Sequence, residues 1–391
     1  MAQPLGRHRD IMTVAFFGQE AGDPAVQRRI AALTRCGWSV DAYTFRRESA
    51  KDRPFENVDL GLTHDGQFVH RLGAIIRTPH QLRHVDRLKA ADIFWARNLD
   101  MLAIADRVRR RVRPSAPLVY EALDIHRLLT TSSPIGLALR GWERQLLRRT
   151  ALLIVSSPDY VSEYFEKRQG RVPPWALIEN RLPPAGLPPR PHPDILRPQE
   201  KKERRPLRLV WAGKLRCERS FALLRHIATT PPTPLHVDIW GRTSTDRLTD
   251  LDQIAAATPH MTFHGPYAGA EGLSRVYGNA DLVWVNDYLE SRPGGAAATN
   301  SAWQLPNRLY EGGYFGAVPV AVANTASGRF VKAHDIGFVI EEPTEASLPA
   351  LLGALSHADI DAKRRRLLAA PRSVFVDDDT PLRAAMEKIA P

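Results

Sequence analysis

The stretch Leu305–Val320, LPNRLYEGGYFGAVPV, decides how this sequence is read. It sets Asn307, Arg308 and Glu311 within one or two helical turns and then breaks, through Gly316-Ala317-Val318-Pro319, into an apolar run. Glu311 follows Arg308 by three residues and Asn307 by four, so all three share one helix face. Pro306 suits the first turn of that helix. Free backbone N–H groups at the helix start, together with the Arg308 guanidinium, point where an anion would sit. A carboxylate on the same face can accept two hydrogen bonds from a diol such as that of a ribose. The plainer alternative is an Arg308–Glu311 surface pair, which contributes only tenths of a kcal/mol.

The residues around this stretch repeat one pattern. LRLVWAGKL opens a series in which LHVDIWG, MTFHG, ADLVWVND, VPVAVAN and GFVIEE read as strands with helices between them. VWAGKLRCERS places Gly213 just past a strand end, then Lys214, then Arg219 near the next helix start. Glycine lets a backbone approach a ligand closely, and a helix start with two cations suits a diphosphate. The other reading of this segment is a strand-to-helix turn carrying ordinary surface cations. Neither a Walker-type phosphate loop nor G-x-G-x-x-G occurs, which argues against a P-loop NTPase and a dinucleotide oxidoreductase.

The first half alternates in the same way. IMTVAFF reads as a buried strand ending at Gly18, followed by a helix with Asp23 as N-cap, Pro24 at its first position and Gly37 closing it. Ser39–Phe45, ADIFWARN, PLVYEALD, ALLIVSS and WALIENRL read as strands; Leu99–Arg111, Ile135–Arg149 and Tyr160–Arg168 read as helices. Strand, helix, strand in this order means a parallel sheet with right-handed crossovers. Residues 181–206 collect eight prolines and the charge run EKKERR, the composition of a linker or an exposed extended crossing. The expected fold class is therefore α/β, with two doubly wound, Rossmann-like domains facing across a cleft. Residues 1–180 would form the N-terminal domain, 181–206 the linker, 207–370 the C-terminal domain and 371–391 a helical tail.

Composition bounds the function. The 391 residues are 43% hydrophobic and 25% charged, an ordinary globular composition. Cys36 and Cys217 stand alone, without metal-ligand spacing, and fit a reducing compartment. Arg7 to Asp10 and the short run Ile11–Phe17 do not make a secretory signal. No window approaches the roughly 20 apolar residues of a membrane span. A location in the cytoplasm, or peripheral on a membrane, is expected. The formal net charge of +11 favours anionic partners, but zinc spacing, an RRM pattern and an aromatic–basic interleave are all missing, so nucleic acid is not the expected ligand. Arg140, Arg144 and Arg148 recur at helical spacing beside Leu137, Leu139, Trp142 and Leu146. That pattern reads either as a core helix with solvated arginines or as a face for anionic membrane. Asp377 and Asp379 in VFVDDDTP read as a helix-capping acidic turn, and no metal site is assigned.

PNRLYEGGYFGAVPVAV resembles the PNKLFEYMAAGxPVIA signature of GT-B glycosyltransferases, and AGKLRCERS resembles their GRLxxxKG turn. The resemblance covers the second half well and the first half in outline. It implies that Lys214, Arg219 and Arg308 bind a donor diphosphate next to Gly213 and Asn307, and that Glu311 binds the ribose. Eight residues before Glu311, where retaining families commonly carry a second glutamate, this chain has Trp303. The opening VAFFGQEAGDPAVQRRI and YEALDIHRLL look most like bacterial exopolysaccharide glycosyltransferases of the succinoglycan-biosynthesis type. By that resemblance Asp124 is the base, with His126 second or touching the donor sugar. Glu121 reads as a strand-end surface residue. Gln19 and Glu20, after Gly18, should border the acceptor, and Tyr288 either stacks on the base or is a rim aromatic.

The function implied is transfer of a hexosyl unit from a nucleotide-diphosphate sugar, UDP-linked by expectation, to a saccharide hydroxyl. The acceptor would be a lipid-linked exopolysaccharide intermediate or a free saccharide, with inversion favoured and no cofactor or metal required. Three alternatives stay open: a retaining transferase, a GT-B-like epimerase that needs no acceptor, and a basic nucleic-acid-binding protein.

Overall fold

The computed structural model describes residues 11–46, 55–62, 78, 82, 86–193, 205–243, 248–287 and 300–389. Residues 1–10, 194–204 and Tyr288 lie outside them, and with them the signal-peptide reading, the middle of the proline-rich stretch and the base-stacking candidate. The chain divides into two compact units. Residues 1–156, 160–178 and 379–391 form the first, and residues 157–159 and 179–378 the second.

Unit 1 carries a seven-stranded sheet in the order β3-β2-β1-β4-β5-β6-β7. The strands are β1 Thr13–Gly18, β2 Ser39–Arg46, β3 Asn57–Leu62, β4 Ile93–Arg97, β5 Leu118–Ala122, β6 Leu152–Val155 and β7 Trp175–Leu177. Each pairing between them is parallel. Both faces of the sheet are covered, which is why its central strands are continuous apolar runs such as VAFF and LLIV. The Pro24–Arg35 helix covers one face. The Asp23 side chain accepts from the Ala25 N–H at its start, and Gly37 (φ 93°) follows its end. The Asn98–Val112 helix packs on the other face, against β1, β4 and β5.

The last helix, Thr380–Glu387, belongs to this unit although it comes after all of unit 2. Leu382, Ala385 and Met386 sit in one buried cluster with Ile30, Leu33 and Trp95. The stretch read as an external tail is thus divided: residues 371–378 fall in unit 2, and the terminal helix closes the core of unit 1. Asp379 stands at the N-cap position with φ 61°, but its carboxylate does not cap the helix. It takes the Arg35 fork instead, through two bonds of 2.8 Å.

Unit 2 carries a six-stranded parallel sheet in the order β10-β9-β8-β11-β12-β13. Its strands are β8 Leu207–Leu215, β9 Leu235–Thr243, β10 Met261–Phe263, β11 Leu282–Trp284, β12 Val318–Val322 and β13 Phe338–Ile340. The described part of the proline-rich stretch is packed on this unit and does not hang as a free linker. Leu182 is buried and bridges Val376 in strand fashion, Pro188 accepts from Tyr314 Oη at 2.7 Å, and Arg190 donates to the Ala370 carbonyl at 2.7 Å. Proline cannot donate to a ladder, so the stretch runs extended and is pinned at single points.

In both sheets the strand order reverses once, between β1 and β4 in unit 1 and between β8 and β11 in unit 2. Ligands of doubly wound sheets bind outside the carboxyl ends of the strands at such a reversal.

Two features of unit 1 differ from the sequence expectation. The segment Tyr160–Gln169 is a π-helix. The arginines of the Pro134–Leu147 helix are not simply solvated: Arg140 donates to the carbonyls of Leu129 and Thr131, and Arg144 to that of Gln169. The same helix buries Glu143 completely, where Tyr120 Oη (2.9 Å), Tyr164 Oη and Gln169 Nε2 donate to it.

Burial pushes the Glu143 carboxyl above its ordinary 4.5, and the three donors offset this only in part. A carboxyl raised in the native state binds its proton more tightly there than in the unfolded chain. Its contribution to stability is then full below the unfolded value and is lost as pH rises through the native one. Thermal melts of the wild type should show a fall in stability as pH rises above the ordinary carboxyl value that is shallower in Glu143→Gln. Equal slopes in the two proteins would refute the assignment.

Candidate active site

β8 runs into Gly213, Lys214 and Leu215 at the strand reversal of unit 2. Gly213 has φ 120° and Gly241, opposite it on β9, has φ 136°. A Cβ on Gly241 would lie 1.8 Å from the Gly213 carbonyl oxygen, so the two strand ends can approach only as glycines. A Cβ on Gly213 would lie 3.7 Å from Arg308 Nη2. Two motifs almost a hundred residues apart are therefore adjacent in space.

Arg308 belongs to the Asn307–Phe315 helix, which packs on β11 and ends at Gly316 (φ 83°). A side chain on Gly312 would meet Val283 at 2.8 Å, which explains the small residues after Glu311. Pro306 is the N-cap residue, and no side chain caps the helix start. Those first N–H groups are the usual means by which a helix binds an anion.

Arg308 is not the open cation expected from the sequence. It is buried and forks Asp287, just past the end of β11, through two bonds of 3.0 Å. Trp211 Nε1 donates to the same carboxylate at 3.2 Å. Burial works against the Arg308 charge, and the Asp287 carboxylate more than restores it, raising the guanidinium above its ordinary value. A buried carboxylate at a strand end requires such a partner. Neither Arg308 nor Glu311 pairs with the other as a surface couple would.

Glu311 is also buried. Tyr277 Oη donates to it at 3.1 Å, and Tyr267 shares the cluster. Burial, and then the Glu311 charge, raise both phenols well above their ordinary value, so they remain protonated donors. Lys214 is exposed and Asn307 half-buried. Arg219 reaches the Pro343 carbonyl at 3.3 Å and the Glu342 carboxylate at 3.6 Å. Asn286 is a pin between strand ends: its Oδ1 accepts from the Val322 N–H and its Nδ2 donates to Thr325. Trp303 is buried packing in the short Asn300–Trp303 helix.

In unit 1 the chain leaves β5 through Asp124, which is exposed and makes no hydrogen bond or ion pair among the described residues. His126 is exposed and caps the Arg127–Thr130 helix, with Nδ1 accepting from the Leu128 N–H at 3.3 Å. That bond puts the proton of the neutral ring on Nε2, so the ring offers a donor there.

Glu121 is fully buried, which corrects the surface reading. Arg29 Nε lies 2.9 Å from it, Arg97 Nε lies 3.4 Å away, and Trp95 Nε1 donates at 2.8 Å. Burial would raise its pKa, but Arg29 and Arg97 together hold it below the usual carboxylate range. Gln19 spends both ends of its amide. It donates to Asp100 at 2.8 and 2.7 Å and accepts from Asn98 at 3.1 Å. Glu20 is half-buried, and its carbonyl accepts from the Asp23 N–H at 3.3 Å.

The structure thus gathers Gly213, Arg308 and Asp287 in unit 2, beside Lys214 in the chain, while Glu311 is anchored by tyrosines. Sequence reading missed Asp287 as the partner of Arg308, and missed Tyr277, Tyr267, Arg29 and Arg97 altogether. The one available signal was a carboxylate at a strand end in the same half as a helix-borne arginine.

No protein-family model matches the chain. It is 34% identical over 400 residues to the succinoglycan biosynthesis protein ExoL of Rhizobium meliloti (strain 1021), covering 97% of this chain and 94% of that protein. Among solved structures, it is similar to Anabaena HepE in complex with UDP and glucose, with a TM-score of 0.65 and 15% identity over 96% of this chain and 98% of the other. It is also similar to WaaG, a glycosyltransferase involved in lipopolysaccharide biosynthesis. There the TM-score is 0.63 and the identity 14%, over 97% of this chain and 100% of the other.

Proposed function

The chain belongs to the family of the succinoglycan biosynthesis protein ExoL and is a glycosyltransferase of the GT-B fold, and from that premise we propose that it transfers a hexosyl unit from a UDP-sugar to a saccharide hydroxyl in exopolysaccharide assembly. The observation that carries this reading is the meeting of Gly213, Arg308 and an uncapped helix start at the strand reversal of unit 2. That arrangement suits a diphosphate, with Lys214 and Arg219 as further cations and Glu311 as the acceptor for the ribose hydroxyls. A relative of similar fold, HepE, has been solved with UDP-glucose.

The acceptor oxygen attacks the anomeric carbon as Asp124 takes its proton. The bond from that carbon to the diphosphate oxygen breaks, and inversion results. Lys214, Arg308 and the helix start stabilise the charge that grows on the leaving diphosphate, so the proposal requires no metal.

Calorimetric titration of UDP, GDP and ADP into the wild type and Lys214→Ala tests the donor site. Lys214 is exposed, so its removal leaves the fold intact. Micromolar binding of UDP, weaker by about tenfold or more in the variant, is expected. Failure of all three nucleotides to bind would rule out the donor site.

We further propose that the acceptor is lipid-linked and that the protein works from the cytoplasm against the membrane surface. Among the described residues no helix is long and apolar enough to cross a membrane. What supports a surface contact is the start of the Pro134–Leu147 helix, where Ile135 and Leu137 are 61% and 57% exposed, with Arg148 and Arg149 exposed at its far end. Flotation with vesicles rich in anionic lipid should retain the wild type and release an Ile135→Ser, Leu137→Ser double variant. Equal retention of both would place the contact elsewhere.

A further inference from the structure

The strand reversal of unit 1 lies between β1 and β4, so the crevice of that sheet opens beside Gly18 and Gln19 on one side and Arg97 and Asn98 on the other. Arg97 is the last residue of β4 and is only 3% exposed. Among the described residues its Nε and Nη1 have no hydrogen-bond partner, although Nε lies 3.4 Å from Glu121 Oε2 as an ion pair. Its nearest anion, Glu121, is already engaged by Arg29 and Trp95. Burial acts most strongly against the Arg97 charge; the Glu121 and Asp23 carboxylates support it, and Arg29 and Arg28 oppose it.

Asn98 follows with a left-handed backbone (φ 68°), a conformation that asparagine adopts more readily than most residues. Its amide orientation is fixed by a chain of bonds. Asp100 is acceptor-only, so Gln19 must turn Nε2 towards it and Oε1 towards Asn98 Nδ2. That leaves Asn98 Oδ1 buried and, among the described residues, without a partner. Buried polar atoms in folded proteins are as a rule satisfied, and each exception needs an explanation. Here a buried guanidinium whose Nη1 has no partner among the described residues and an amide oxygen without one occur on consecutive residues, at the strand-reversal end of the sheet.

We propose that this crevice is a subsite for an oxyanion with a neighbouring hydroxyl, as in a sugar phosphate or a sugar carboxylate. The Arg97 guanidinium donates to the oxyanion, and Asn98 Oδ1 accepts from the hydroxyl. Naming the acceptor as the source of that group rests on the transferase reading; the subsite itself does not. Arg97 and Asn98 then select acceptors by charge, with Gln19 and Asp100 as positioning residues behind them.

The test is calorimetric titration of glucose 1-phosphate, glucuronate and neutral glucose into wild type, Arg97→Gln, Arg97→Lys and Lys214→Ala. The wild type should bind at least one anionic sugar and not glucose. Arg97→Gln should weaken that binding at least tenfold, and Lys214→Ala should leave it unchanged. A preference for glucose 1-phosphate identifies a carrier-linked phosphate as the source, and a preference for glucuronate identifies an acidic sugar residue. If Arg97→Gln does not fold, Arg97→Lys serves in its place: it keeps the charge but loses the fork, and should weaken binding severalfold.

Three results would overturn the proposal. They are no binding of either anionic sugar to wild type, equal binding to a folded Arg97 variant, and binding lost in Lys214→Ala but kept in Arg97→Gln. The last would assign the anion to the donor site. A UDP titration on the same samples reports on the donor reading separately.

Discussion

Replacing Arg308 with alanine is expected to cost unit 2 about 3–5 kcal/mol of stability, because it strands a buried carboxylate. Asp287 is buried, and its partners are the two Arg308 bonds of 3.0 Å and a single Trp211 bond of 3.2 Å. Without the guanidinium, its charge is left in the protein interior with one neutral donor. The double variant Arg308→Met, Asp287→Leu removes both charges and should recover most of the loss, since replacing a whole buried pair by apolar groups is often close to neutral. Urea unfolding followed by tryptophan fluorescence checks this, with a separate transition allowed for each unit. If Arg308→Ala unfolds at the wild-type midpoint, the ion pair does not hold the site together. The expectation also bears on donor binding. Loss of UDP binding in Arg308→Ala would mix a missing contact with a collapsed site, which is why exposed Lys214 is the better probe.

With Asp124 as the proposed base, Asp124→Asn is expected to lower kcat by about a hundredfold to ten-thousandfold, the usual range for removing a general base. Its melting temperature should not change, because Asp124 is exposed and holds nothing else in place. KM for the donor should stay within a few-fold of wild type, because Asp124 belongs to unit 1 and the proposed diphosphate site to unit 2. Product analysis by NMR gives a second reading: an inverted anomeric centre is required if a base activates the acceptor. Wild-type turnover in the variant, or a retained configuration, would remove Asp124 from the mechanism. His126 is the poorer candidate, since its Nδ1 already accepts the Leu128 N–H.

Several elements were legible without a structure. Asp23-Pro24 and Gly37 bracket a helix by local chemistry alone, and the structure has Pro24–Arg35 there. Runs such as LLIV and VPVAV are buried on both faces, the mark of a parallel sheet. The Leu305–Val320 stretch was read as helix then strand, and it forms Asn307–Phe315 followed by β12. Less legible was Asn57–Leu62, whose polar and glycine-containing NVDLGL forms edge strand β3 because β2 offers it a ladder. The proline-rich stretch, extended as one of its two readings had it, packs on unit 2 and is not a free linker, and the terminal helix belongs to unit 1; both escaped the sequence for a related reason: composition marks a segment as extended or helical without naming the surface it covers.

The sequence by itself determined the alternation of strands and helices, the two sheets, and the residue types at the strand ends. Hydrophobic period, capping and turn residues act within a few positions of the chain, so they can be read along it. Only the tertiary structure decided which charges meet. Strand order places β11 beside β8, and so Asp287 against Arg308 and Trp211. It places β5 beside β4, and so buries Glu121 between Arg29 and Arg97. The strength of an ion depends on its burial and its partner, and both are set by segments distant in the chain.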